Sequence, residues 1–128
     1  MTLSTKMKFG VFMAPFHRVG ENPTLALERD LELLQWLDSL GFDEAYIGEH
    51  HSAGWETIAS PEVFMATAAE RTKHIKLGSG VISLPYHHPY MVANRLVLLD
   101  HLTRAVSYTH LRAHETLRYL VCRLVLEK

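Results

Sequence analysis

Cysteine is nearly absent: Cys122 is the only one in 128 residues, so no intrachain disulfide can form and a reducing cytoplasm is the expected compartment. No charge of one sign dominates. Thirteen Lys and Arg stand against fourteen Asp and Glu, which leaves no basic field for nucleic acid or an anionic membrane surface. No apolar run approaches the roughly 18 residues that a membrane-spanning helix needs. The apolar stretch near the N-terminus is broken by Gly10 and Pro15, and it reads as a first strand rather than a secretory signal. There is no internal repeat and no low-complexity segment. Histidine, by contrast, is plentiful at nine residues, which keeps metal binding under consideration.

What is present alternates. "MKFGVFM" (7–13) is rich in strand formers. Residues 23–40 then take helical period, with Leu27, Leu31, Leu34, Leu37 and Leu40 on one face. Asn22-Pro23 opens that helix, and Gly41 suits the left-handed residue that closes it. "FDEAYI" (42–47) is a second strand, and Ser60-Pro61 caps a second helix over 61–72. "HIKLGSGVISL" (74–84) is a third strand interrupted by Gly78 and Gly80, and Pro89 opens a third helix. The order β-α-β-α-β-α predicts parallel strands with right-handed crossovers, in an open doubly wound sheet or a closed barrel.

In such folds functional groups collect in loops after the strands. Three polar or glycine-rich clusters fall there: "APFHRVGEN", "GEHHSAGWE" and "GSGVISLPYHHP". Glu49-His50-His51 lacks the HExxH spacing of a helical zinc site, and adjacent residues on an extended segment point opposite ways. His50 therefore fits acid–base or substrate contact, turn structure or metal ligation. His87-His88 precedes a helix start, where an imidazole can bond free backbone N–H groups. "GSG" at 78–80 is not a dinucleotide fingerprint, and it suits a bulge or the close approach of something flat.

The stretch 7–72, which contains "YIGEHHSAGWE", and the stretch 75–104, "IKLGSGVISLPYHHPYMVANRLVLLDHLTR", resemble the bacterial luciferase-like flavin monooxygenases, especially the limonene 1,2-monooxygenase-like group. The resemblance implies a (β/α)8 TIM barrel that binds reduced FMN, supplied by a separate flavin reductase, and uses O2 to oxygenate a small apolar, terpene-like substrate. It implies His50 as the catalytic histidine. Met13, Ala14, Pro15, Glu49, Ser79, Gly80 and Val81 would form the cofactor pocket, with a non-proline cis peptide at Gly80–Val81. Phe16, His51 and Trp55 would face the substrate. No metal is implied, and a homo-oligomeric parent is compatible with the family.

A TIM barrel takes about 250 residues, so the expectation is its first three βα units within residues 1–106. On that reading the 128-residue chain is an inactive fragment of an active parent. Residues 107–128, "SYTHLRAHETLRYLVCRLVLEK", resemble a translated adapter or vector segment. Leu117, Leu120, Val121 and Leu124 predict a non-native helical tail there, in which His110, His114 and Cys122 are not ligands. Two other activities compete: an F420-dependent oxidoreductase of the same barrel superfamily, and a metal-dependent TIM-barrel hydrolase using His50 with His87 or His88.

Overall fold

The computed structural model describes residues 7–14, 16–103 and the backbone of 107–112. Strands β1 (Gly10–Met13), β2 (Glu44–Ile47), β3 (Lys76–Ser83) and β4 (Ser107–Arg112) alternate with helices α1 (Pro23–Ser39), α2 (Pro61–Ala69) and α3 (Pro89–Leu102). The sheet runs β1-β2-β3-β4, every neighbouring pair parallel. Helix α1 packs on α2 and α2 on α3, so the three helices line one side of the sheet. Sequential strand order with one-sided helices is the wall of a barrel; a doubly wound sheet would reverse its order and carry helices on both faces.

Local chemistry explains the element ends. Asn22 Oδ1 accepts the Thr24 N–H at 2.9 Å, with Pro23 at the first helical position. Gly41 closes the helix at φ 80°, where a β-carbon would be strained. Ser60 occupies the cap position of α2, but its side chain makes no capping bond, a correction to the sequence expectation; α2 also ends at Ala69, short of residue 72. Asp38, near the end of α1, accepts the backbone N–H groups of Lys73, His74 and Ile75 at 2.7–2.8 Å, and so ties α1 to the entrance of β3.

The core lies between sheet and helices. Met13, Ala45, Ile47 and Leu77 face Leu31, Leu34 and Leu37 of α1, Phe64, Met65 and Ala68 of α2, and Leu99 of α3. Strand alternation puts the intervening residues on the opposite face, where the register aligns Phe12, Tyr46 and Gly78. Leu40, read from the sequence as part of the apolar face, is exposed instead, and so is Trp36. They sit at the end and flank of α1, beyond the width of the sheet it covers.

The segment after α3 departs from expectation. Residues 107–112 form a strand, not the start of a helical tail. The free edge of β3 offers unpaired N–H and C=O groups, and Tyr108 and Thr109 favour extended backbone. The edge outweighs the weak helical period. Residues 113–128, where the rest of the expected helix falls, lie outside the described residues, as does Pro15.

Candidate functional site

The C-terminal ends of β1, β2 and β3 bring all three sequence clusters into contact, with the loop after β2 touching the other two. Gly48 follows β2 and donates its N–H to the Met13 carbonyl at 2.9 Å, binding the two strand exits. Beyond it the 50–58 segment folds back on itself, with the His50 N–H bonded to the Ile58 carbonyl at 3.0 Å. The loop leaving β1 runs alongside: Phe16 and Glu56 form an antiparallel bridge, and the His17 N–H reaches the Trp55 carbonyl at 2.7 Å. His17 is held from both ring nitrogens, by Asp30 at 3.0 Å and Thr57 at 3.2 Å. Burial is the larger influence on Asp30 and holds its carboxyl above the usual value despite the nearby His17.

The two adjacent histidines separate, as extended backbone requires. His51 turns to Glu49, whose side chain is fully buried: His51 Nε2 donates to Glu49 Oε1 at 2.5 Å. His87, from the segment between β3 and α3, brings its Nε2 to the same oxygen at 2.7 Å. The second oxygen, Oε2, accepts the Ser83 N–H at 2.7 Å. Burial pushes the Glu49 carboxyl up, but the bonds from His51, Ser83 and His87 outweigh it and hold the group below its usual value. Glu49 is thus an ionised clamp joining the ends of β2 and β3. The expected capping role of His87-His88 is corrected here. His87 binds the carboxylate, and His88, at the cap position of α3, makes no side-chain capping bond.

Glu49, His51 and His87 present ligand-type atoms within 4.8 Å of one another. Their spacing is nevertheless that of hydrogen bonds: tetrahedral ligands at about 2.0–2.2 Å from zinc stand roughly 3.3–3.5 Å apart. Arg95 Nη2 also lies 3.4 Å from His87 Nδ1. Arginine only donates, so Nδ1 accepts and the ring proton sits on Nε2, facing Glu49. Both features favour a proton-sharing clamp.

His50 points elsewhere. Its Nδ1 lies 2.6 Å from Glu56 Oε2, and the Glu56 side chain is only 7% exposed against 40% for His50. The other ring nitrogen, Nε2, lies 3.5 Å from the position a β-carbon on Gly48 would take.

On the helix-free face, Gly80 carries no side chain where one would meet Phe12 and Tyr46. An added β-carbon would lie 2.9 Å from the Phe12 ring and from Tyr46 Cβ. The Gly80–Val81 peptide is cis, and the β3–β4 register shifts between Gly80 and Ile82.

Other expected positions divide. Ala14 is half-buried, and its carbonyl accepts the Phe16 N–H at 2.8 Å. Phe16, His51 and Trp55 are exposed at the loop tips, and the His51 ring stands edge-on to Tyr86 at 5.1 Å. Met13 is a correction: its side chain lies in the core under the helices, because alternation along β1 gives the open face to Phe12. Ser79 is buried in register with Ile47, on that same helix side. Glu56 is the residue the sequence reading missed, and Glu49 is the partner it did not foresee for His87. Glu56 carried a faint signal, a lone acid six positions after His50 in a turn-rich loop; nothing in the sequence marked the pairing of Glu49 with His87.

Parallel βα units in sequential order, with acids and histidines gathered at the strand exits, form part of a barrel wall whose C-terminal face carries the candidate site. Residues 7–104 match the luciferase-like monooxygenase family, and the chain belongs to that family. It is 64% identical over 98 residues to 4-hydroxyprotoasukamycin monooxygenase of Streptomyces nodosus subsp. asukaensis, covering 77% of this chain and 26% of that protein. Limonene 1,2-monooxygenase of Rhodococcus erythropolis is 61% identical over 99 residues, with the same shares covered. The chain thus spans about a quarter of the length of these curated relatives. Among solved structures, the oxygenating constituent of 3,6-diketocamphane monooxygenase from Pseudomonas putida, in complex with FMN, superposes with a TM-score of 0.81. That match has 28% identity and covers 88% of this chain and 31% of that one.

Proposed function

We propose that the protein carrying these βα units is a flavin-dependent monooxygenase that uses reduced FMN and O2 to oxygenate a small apolar substrate, with His50 as its acid–base group. The observation that carries the reading is the contrast among the histidines. His51 and His87 have Nε2 committed to Glu49, whereas His50 Nε2 has no such partner among the described residues and stands at the strand exits. The monooxygenase names of the relatives support the reaction class, and the FMN complex of the diketocamphane oxygenase supports the cofactor.

The residues present fit a flat cofactor. Gly78 and Gly80 carry no side chain on the helix-free face of β3, where the Phe12 ring and Tyr46 Cβ lie against Gly80. A planar ring system stacks well on such a surface. Reduced FMN, when bound, supplies the electrons that activate O2. The chain's own residues do the rest: Glu49 fixes the relative position of β2 and β3 beneath the site, and His50 Nε2 holds or accepts a proton at its edge. Exposed Phe16 and Trp55, on paired loops, give apolar contact to a substrate of terpene-like character. The diketocamphane relative is the oxygenating constituent of its monooxygenase, which supports a separate flavin reductase as partner.

The test is a chimera in which residues 1–104 are continued by the remaining barrel of a full-length relative. Anaerobic titration should show binding of reduced FMN, and admission of O2 should oxidise it. Binding of F420 with no uptake of reduced FMN would reassign the protein to the deazaflavin branch.

A further inference from the structure

We propose that Glu56 is the positioning residue for His50: its buried carboxylate fixes the imidazole as the Nδ1–H tautomer and presents Nε2 as the proton-accepting atom. The inference rests on the acid–base role given to His50 above.

Three observations carry it. First, the Glu56 side chain is buried to all but 7%, and a carboxylate so placed requires a partner; the partner is His50 Nδ1 at 2.6 Å. Second, its backbone is pinned on both sides. The Phe16–Glu56 bridge and the His17–Trp55 bond hold it to the β1 loop, while the His50–Ile58 bond holds the segment to the histidine's own backbone. The acid is therefore set by the fold and not by chance contact of two surface side chains. Third, with Nδ1 tied to Glu56, Nε2 is the ring nitrogen left at the exit of β2, 3.5 Å from where a β-carbon on Gly48 would lie, on a side chain 40% exposed.

The chemistry follows from the donor inventory. An ionised carboxylate only accepts, so the hydrogen in this pair belongs to Nδ1, and the neutral ring keeps its lone pair on Nε2. A free imidazole has no such constraint. The same division of labour, one ring nitrogen oriented by a carboxylate and the other left reactive, is the general logic of an oriented base. Glu56 touches no reacting atom in this arrangement. It acts through His50.

The test uses the 128-residue chain with 15N-labelled histidine and long-range 15N–1H correlation spectra, which distinguish the two neutral tautomers without added cofactor. His50 should be predominantly Nδ1–H, and Glu56→Gln, which keeps an acceptor oxygen in place, should retain that form. Glu56→Ala should invert the preference to Nε2–H, while His51 and His87 signals stay in place as a control for folding. A wild-type His50 in the Nε2–H form, or one whose tautomer ignores Glu56→Ala, would overturn the proposal. The wild-type measurement alone decides if a variant does not fold. Failure of the chimera to bind reduced FMN would remove the functional reading and leave the tautomer result standing, so the two can fail separately.

Discussion

Glu49 and His87 stand 38 positions apart in sequence and 2.7 Å apart in space, and through that bond the end of β2 grips the segment that follows β3. The same carboxylate holds His51 and the Ser83 N–H, so a single acid organises one side of the strand exits.

Removing it should cost stability. Glu49→Ala leaves the Ser83 N–H and the His87 Nε2–H without their acceptor, and a buried orphaned donor costs about 1–3 kcal/mol. Urea unfolding of the variant should show a lower midpoint with an unchanged slope. An unaltered midpoint would mean that the clamp is ornamental.

The sign of the pH dependence is fixed by the same group. Its folded carboxyl is held below the ordinary value near 4.5. Its contribution is therefore present above that value and fades as pH falls through the depressed one. Thermal melts of the parent chain should lose stability on acidification below about pH 4.5, and Glu49→Gln should lose less over that window. Equal losses in both would place the acid sensitivity elsewhere.

Asp38 gives a second and separate test. Burial raises its carboxyl, but three backbone N–H groups, from Ile75, Lys73 and His74, hold it below its usual value. Asp38→Ala should destabilise the chain by about 1–3 kcal/mol and raise amide exchange at residues 73–75. Exchange unchanged at those three amides would refute the tie between α1 and β3.

Gly80 should resist substitution. A β-carbon there would sit 2.9 Å from Tyr46 Cβ, which is backbone-anchored and cannot swing away, and equally close to the Phe12 ring. Overpacking of this kind costs roughly 1–3 kcal/mol. Gly80→Ala should lower the melting temperature, and Phe12→Ala in the same chain should leave that deficit largely in place, because the Tyr46 contact remains. Full recovery in the double variant would assign the clash to Phe12 alone.

Zinc titration of the chain at neutral pH should show no stoichiometric site, since the His87 proton already lies between Nε2 and Glu49. A one-to-one isotherm abolished by Glu49→Ala would instead make Glu49, His51 and His87 a metal centre.

Most of the wall was legible in sequence because its signals are local. Asn22-Pro23, Gly41 and the leucine spacing of α1 act within a few residues, and the alternation of elements implies parallel strands. The site was only half legible. That His50 and His51 point apart follows from backbone geometry, but which acid each one meets depends on how the 50–58 loop folds back and where His87 arrives. Those are contacts between distant segments, and no periodicity records them. Met13 shows the opposite error: the resemblance assigned it to the pocket, although alternation along β1 could already have placed it with Val11 on the helix side. Residues 107–112 show a third case, in which a neighbouring edge outweighed the helical pattern of the segment itself.

The seam between β3 and β4 is stitched by main-chain bonds, with Leu77 through Ser83 matched to Ser107 through Arg112, while the family match stops at Arg104. Main-chain bonds do not inspect the identity of what they hold. The outer margin of β3 is therefore a permissive graft junction: a protein engineer could join foreign strands there and preserve the three-unit module behind it, choosing the graft for the pocket it completes and not for the seam it must make.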